Sequence, residues 1–268
     1  MNRSFDMSLE QRHQRLIRLA VAGALGRMGR CVMDNAARDA RFTVAAALVA
    51  DTPLDTNPAI PPLTTSLTAP CDVLIDFTNA RGTLAWLPVC IERRIPMVIG
   101  ATGHDELGLA RIREAAMAIP IVKAANFSLG IHVVARALRD LVTRLGASFD
   151  VEIVETHHRH KVDAPSGTAL MLLDEMLSAT GRTRDSVVFG RKGQTGARPA
   201  GQIGVHSLRM GDVVGEHEVL FSGNGETISV KHVAHSREAF ATGALQAASW
   251  IMGKPPGLYG LHEVIEQG

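Results

Sequence analysis

Apolar and polar positions follow two different rhythms along the chain. In the first half, near-continuous apolar runs fall at Arg18–Ala22, Phe42–Val49, Val73–Phe77, Pro96–Ile99 and Ile121–Ala124. Runs of this kind suit strands of a parallel sheet that is covered on both faces. Between them, Met28–Arg38, Gly82–Arg93 and Glu106–Ala118 carry helical spacing. Strand–helix alternation with short connections predicts a doubly wound α/β domain. The stretch 51–70, which holds five prolines and many threonines, predicts an irregular loop.

After Ser128 the rhythm changes. Helices are predicted at Leu129–Leu145 and Ser166–Thr180, the second ended by Gly181 as the residue just past its C-terminus. Strands are predicted at Phe149–Glu155, Val187–Phe189, Ile203–Arg209, Glu216–Phe221 and Thr227–His232. Gly223-Asn224-Gly225 joins the last two as a hairpin turn. A final helix, Glu238–Met252, precedes a Pro-Pro-Gly tail. Runs of strands with segregated helices make this half an α+β domain, with the boundary near 127–130.

Composition narrows the possible roles. A length of 268 residues suits one large domain or two of ordinary size. The 28 Lys+Arg against 27 Asp+Glu give a net charge of +1, which argues against a nucleic-acid groove or a polybasic membrane surface. Aromatics at 4% are too few for a base-stacking platform. No apolar run reaches the roughly 18–20 residues of a membrane span. Leu16–Leu25 is interrupted by Arg18 and followed by a glycine turn, so no export signal is read and a cytoplasmic setting is expected. Cys31, Cys71 and Cys90 are widely spaced and odd in number, as expected of buried thiols and not of a disulfide framework or zinc ribbon. A globular protein with a small-molecule task is what remains.

Two segments carry the chemistry. The first joins strand to helix as Gly23-Ala24-Leu25-Gly26-Arg27-Met28-Gly29, a G-x-x-G-x-x-G relative of the dinucleotide fingerprint. Gly23 would allow the tight turn, Gly26 the approach of a pyrophosphate, and Gly29 close packing of helix on strand. Phosphates would then meet open N–H groups and the positive end of the helix dipole, with Arg27 as an added charge. The acidic residue expected about 20 residues on, to hold a ribose hydroxyl, is replaced by Val49 and Ala50, with Asp51 just beyond. Either Asp51 reaches back or the ribose is held differently. The turns Gly100-Ala101-Thr102-Gly103 and Ala124-Ala125-Asn126-Phe127 follow strands at the same sheet edge, which would place them on the nicotinamide side, with ordinary turn chemistry as the bland alternative.

The second segment runs Glu155-Thr156-His157-His158-Arg159-His160-Lys161-Val162-Asp163-Ala164-Pro165-Ser166-Gly167-Thr168-Ala169. Its consecutive potential cations, His157 to Lys161, would repel one another unless an anion lies nearby. A metal site is disfavoured by the missing cysteine partner and the neighbouring cations; a solvated basic loop is the bland alternative. Ser166 is a good helix N-cap. Gly167 and Thr168 would present N–H groups and a hydroxyl at that helix start, a ready carboxylate or phosphate site. Lys161 would complement it as a point charge, and a histidine with reference pKa near ~6.5 suits proton donation.

On these residues the chain resembles the 4-hydroxy-tetrahydrodipicolinate reductase (dihydrodipicolinate reductase) family. HHRHKVDAPSGTA, Gly23–Met28, Gly100–Gly103, Ala124–Ser128 and Arg209–His217 match its pattern in order and spacing, over nearly the whole chain. The resemblance implies a Rossmann-like dinucleotide-binding domain, 1–127, joined by the C-terminal segment 238–268. It also implies an α+β domain, 128–237, that binds substrate and forms a homotetramer. Hydride would pass from NADH or NADPH to a cyclic unsaturated dicarboxylate, giving tetrahydrodipicolinate in lysine and diaminopimelate biosynthesis. His157 takes the proton donor/acceptor position and Lys161 the second donor position. His158, Ser166, Gly167, Thr168 and Thr102 fall on substrate positions. Gly23, Ala24, Leu25, Gly26, Arg27 and Met28 fall on cofactor positions, as do Gly100, Ala101, Thr102, Ala124, Ala125, Asn126 and Phe127; no metal is implied. Val49, Ala50 and Ala101 depart from the family pattern. Two other readings stand beside this one. A different nicotinamide-dependent amino-acid dehydrogenase would leave the HHRHK–PSGT pairing unexplained. A non-catalytic dinucleotide sensor would require a partner-binding segment that neither charge nor pattern supplies.

Overall fold

The computed structural model describes residues 16–50 and 63–267. The chain divides into two units, one running to Lys123 and taking back Ala244–Gly260, the other holding Ala124–Gly243 and the stretch from Leu261.

The first unit follows the alternating text. Its elements are β1 (Ile17–Ala22), α1 (Arg27–Ala37), β2 (Phe42–Leu48), β3 (Leu63–Thr64), β4 (Val73–Asp76), α2 (Ala80–Arg93), β5 (Met97–Ile99), α3 (Glu106–Ala115) and β6 (Pro120–Lys123). These strands form a parallel sheet, whose order β6–β5–β4–β1–β2–β3 reverses at β1 as in a doubly wound, Rossmann-like domain. The apolar runs are buried because helices cover both faces: Leu19, Ala20, Val21 and Ala22 are 0% exposed. Asp76 at the end of β4 is equally buried. It accepts hydrogen bonds from the Thr78 amide at 2.9 Å and from the Thr83 hydroxyl at 2.5 Å, so its burial is compensated. Part of the proline-rich stretch, 51–62, lies outside the described residues along with Asp51.

The second unit contains α4 (Leu129–Leu145), β7 (Asp150–His157), α5 (Gly167–Thr180), β8 (Val187–Phe189), β9 (Ile203–Arg209), β10 (Gly215–Gly223) and β11 (Glu226–Ala234). The strands form a mixed sheet in the order β11–β10–β7–β9–β8, with β10 antiparallel to both neighbours. Ile131, Ala135, Leu138 and Val142 recur at helical spacing along α4 and share one core with Leu172, Leu173 and Met176 of α5 and with Val151, Ile153, Val219 and Phe221 of the sheet. Leu138→Ala in this close-packed layer would cost about 2–5 kcal/mol. The predicted hairpin forms with Asn224 (φ 54°) and Gly225 (φ 84°) as its two turn residues. Positive φ at both is what a primed turn requires.

The C-terminal segment behaves differently from the expected tail. The boundary between units falls within α6 (Glu238–Trp250). Beyond it β12 (Gly257–Tyr259) adds to β6 as a seventh parallel strand. Then α7 (Leu261–Glu266) belongs to the second unit, where Leu261 and Val264 are buried and Glu266 pairs with Arg136 of α4. The segment 238–268 is therefore divided and does not return whole to the first unit. Three residues of strand carry too little pattern to be read; the open edge of β6 recruits them. Among the described residues no helix is long and apolar enough to cross a membrane.

Candidate active site

In the first unit the glycine turn leaves β1 and starts α1. Gly23 has φ 80°, a conformation that costs glycine nothing. A Cβ there would stand 2.8 Å from the Phe77 carbonyl oxygen, and a Cβ on Gly29 only 2.2 Å from the Gly23 oxygen. The turn therefore closes and α1 packs on it only with bare backbone at both places. Gly26 is the N-cap of α1 and offers no side-chain cap. The first-turn amides at Arg27 and Met28 are left open among the described residues. Gly100, after β5, has Phe77 where its own Cβ would be, 2.2 Å from the ring. Phe77 thus gathers the β1 and β5 turns at one sheet edge. Beside the first turn lies a cavity of about 970 Å3 bordered by Leu48, Val49, Ala50 and Trp86, in which Arg81 is the one charged residue among the described lining.

In the second unit the period of β7 decides the chemistry. Side chains alternate across a strand, so the face that buries Val151 and Ile153 also buries Glu155 and His157, at 0% and 8% exposure. Strand register brings Ser207 and Arg209 beside them from β9, and His217 from β10. The Glu155 carboxylate is fully engaged. Oε2 accepts from His157 Nδ1 at 2.6 Å and from Arg209 Nη1 at 2.9 Å. Oε1 accepts from Arg209 Nη2 at 2.8 Å and from the Ser166 amide at 3.1 Å. Burial by itself would raise the Glu155 pKa, but hydrogen bonds from Arg209, His157 and Ser207 outweigh it and hold the group at about 2. Burial lowers the His157 pKa below the usual histidine value; Glu155 pulls it up, while Lys161 and Arg209 press it down.

Ser166 caps α5 by accepting from the Ala169 amide at 3.1 Å, and its hydroxyl lies 3.1 Å from His217 Nε2. That satisfies the third amide of the helix and leaves those of Gly167 and Thr168 unpaired among the described residues. No atom lies within 4 Å of a Cβ position on Gly167, so the approach to this helix start is open. Thr168 Oγ1 accepts from Asn126 Nδ2 at 2.8 Å, which ties the turn after β6 to the start of α5. Lys161 Nζ pairs with Asp163 at 2.8 Å. Burial, reinforced by His157, pushes the His217 pKa down to about 3, so this imidazole is neutral.

Residues 17–127 match the family model described as dihydrodipicolinate reductase, N-terminus, and residues 130–265 match its C-terminus. The chain belongs to the dihydrodipicolinate reductase family. A 4-hydroxy-tetrahydrodipicolinate reductase of Akkermansia muciniphila is 43% identical over 251 residues, covering 93% of this chain and 98% of the relative. One from Myxococcus xanthus is 49% identical over 197 residues, 74% of this chain and 73% of the relative. A dipicolinate-bound dihydrodipicolinate reductase from Paenisporosarcina sp. TG-14 superposes with a TM-score of 0.72 at 25% identity, covering 92% of this chain and 99% of that one.

Within this family frame the expected positions sort into two sets. Gly23–Met28 and Gly100–Thr102 lie in the first unit, and Ala124–Phe127 with 157–168 in the second. His157, Ser166 and Thr168 come together through Glu155, the helix cap and Asn126. Ser166, 1% exposed, has its hydroxyl committed to the cap and to His217, which makes it a structural member of the cluster. Arg159 and His160 point outward as exposed side chains, and His158 is half-buried. The expected mutual repulsion of the cationic run is relieved partly from within, because His157 and Lys161 each have a carboxylate partner. Glu155, Arg209 and His217 carry much of this arrangement; Glu155 heads the second sequence segment and Arg209–His217 is one of the matched motifs, but the sequence assigned none of the three a role. The signal for Glu155 was present: it stands two residues before His157, on the same face of a strand. Among the described residues no group of three or more His, Cys, Asp or Glu side chains is arranged to hold a metal ion.

Proposed function

We propose that this chain reduces dihydrodipicolinate, formed from 4-hydroxy-tetrahydrodipicolinate by loss of water, to tetrahydrodipicolinate in lysine and diaminopimelate biosynthesis. It uses NADH or NADPH and works in the cytoplasm as a homotetramer. The observation that carries this reading is the joining, within one α+β unit of this family, of a buried histidine to an open helix start of the α5 type.

The dinucleotide fits the glycine turn. Its pyrophosphate would meet the open amides of α1 over the bare backbone of Gly23 and Gly26, with Arg27 adjacent. Gly100, Ala101 and Thr102 of the same unit would border the rest of it. Bound nicotinamide supplies the hydride. The substrate carboxylates are received by the amides of Gly167 and Thr168 and by the ammonium of Lys161, which exchanges Asp163 for them; His158 borders the same ligand. His157, whose hold on a proton burial weakens, gains affinity for one from the negative charge of the dicarboxylate. Substrate binding thereby loads Nε2, and the proton passes to the carbanionic carbon left by hydride arrival. Lys161 and the helix start steady the negative charge that develops.

The test is a continuous assay of nicotinamide absorbance with the cyclic dicarboxylate generated in the cuvette, run separately with NADH and NADPH. Oxidation with at least one cofactor is expected, and His157→Gln is expected to lower kcat by about 10²–10⁴-fold. Absence of oxidation with both cofactors would overturn the reading.

A further inference from the structure

The short contact between His157 and Glu155 leads past His157 to what controls it. We propose that Glu155 and Arg209 act together as positioning residues for His157, fixing its tautomer while cancelling the charge that would otherwise keep it permanently protonated. This deepens the reading above and rests on His157 as the proton donor.

The geometry assigns the tautomer. Glu155 offers Oε2 to His157 Nδ1 at 2.6 Å, and an ionised carboxylate only accepts. The Nδ1 hydrogen is therefore spoken for, and Nε2 is the nitrogen that exchanges protons. A lone buried carboxylate at that distance would hold the imidazole as imidazolium whether or not substrate were present. Arg209 prevents this. Its guanidinium places one nitrogen on each Glu155 oxygen, at 2.9 and 2.8 Å, and also donates to the Asp163 carbonyl at 2.6 Å. A planar fork of this kind neutralises the carboxylate while leaving its second lone pair for the histidine. The pair then supplies direction without net charge.

The surroundings of the ring agree with this assignment. Its Nε2 edge faces Gly215 of β10, where a Cβ would stand only 3.1 Å from the nitrogen, so a bare residue keeps that edge clear. His217 stands edge-on at 5.2 Å between ring centroids and adds no charge in its neutral form. The charged groups facing His157 are thus Glu155 on its own strand, Arg209 from β9 and Lys161 from the following loop, the last tied to Asp163. A purely structural Glu155–Arg209 pair would hold the strands together and leave the titration of His157 unaltered by its loss.

That difference is the experiment. The full chain, labelled with 15N-histidine and free of ligand, is titrated by two-dimensional NMR as wild type, Arg209→Gln, Arg209→Lys and the neutral double variant Glu155→Gln/Arg209→Gln. Wild-type His157 is expected as the Nδ1–H tautomer with a midpoint below the usual ~6.5. Arg209→Gln is expected to raise the midpoint by about one pH unit or more as the Glu155 charge is uncovered. Arg209→Lys, which restores charge without the fork, is expected to return part of the shift. The double variant, which leaves no buried unpaired charge to prevent folding, is expected to release His157 to a mixture of tautomers. Unchanged midpoint and tautomer in Arg209→Gln and in the double variant would overturn the proposal. None of these readings needs substrate or cofactor, so they stand or fall separately from the turnover assay.

Discussion

The glycine turn at the head of α1 and the polar cluster at the end of β7 each open a helix start, by opposite means. The turn does it by subtraction: bare backbone at Gly23 and Gly29 lets the chain close on itself, and a glycine cap leaves the first amides of α1 open. The cluster does it by compensation: ionised and polar side chains are buried, and each is given a partner. Glu155 takes hydrogen bonds from a residue two positions away and from one 54 positions away. Both end at an open helix start, yet only the second sets a protonation state. A helix terminus attracts negative charge; proton transfer requires a titrating group whose surroundings are controlled.

This contrast makes the cluster sensitive to acid and the turn sensitive to volume. The largest expected effect is on stability below neutral pH. His217 is neutral in the fold with a pKa of about 3 against 6.5 when exposed. The unfolded chain therefore binds the extra proton first, and stability falls as pH drops from 6.5 towards 3. At about 1.4 kcal/mol per unit, this one residue accounts for up to about 5 kcal/mol across that window. Glu155, held at about 2 against 4.5, acts in the same direction, with its contribution lost as pH falls from 4.5 to 2. Urea unfolding of His217→Gln across pH 7 to 4 is expected to show a shallower decline than wild type, by up to one proton. Parallel curves would mean that His217 is not buried as a neutral base.

A smaller effect is expected at the turn. Gly29→Ala puts a methyl group 2.2 Å from the Gly23 carbonyl oxygen and 2.8 Å from Ala24 Cα. Backbone cannot give way as a side chain does, and a cost of about 1–3 kcal/mol is expected, together with weaker binding of NADH and NADPH measured by fluorescence. Unchanged stability would show that α1 does not press on the turn. The smallest change concerns the link between the β6 turn and α5. Thr168→Val removes the acceptor of Asn126 Nδ2 and is expected to cost about 1 kcal/mol in thermal unfolding, with a larger proportional loss in substrate affinity. Wild-type affinity in this variant would remove Thr168 from the binding site.

Much of the fold was legible in the sequence. Apolar runs at Arg18–Ala22 and Val73–Phe77 became β1 and β4, and the Asn224-Gly225 turn formed where its residue types require it. The glycine spacing and the HHRHK–PSGT segment marked both regions named above. What escaped reading was β12, three residues long, and the return of α7 to α4. Ser166 showed its cap in the sequence but not its bond to His217.

The local features were determined by the sequence alone because each depends on neighbours within about a turn of helix or two strand positions: amphipathic spacing, a serine cap, a glycine with positive φ. The partners were decided by tertiary structure. Arg209 reaches Glu155, and His217 reaches Ser166, only because β9 and β10 take one register against β7, and a slip of one residue would turn Glu155 and His157 to the opposite face. Register is set by the whole apolar layer under the sheet, from Ile131 to Phe221. The identity of the histidine is therefore written in one segment of chain, while its tautomer and its charge are written in three strands at once.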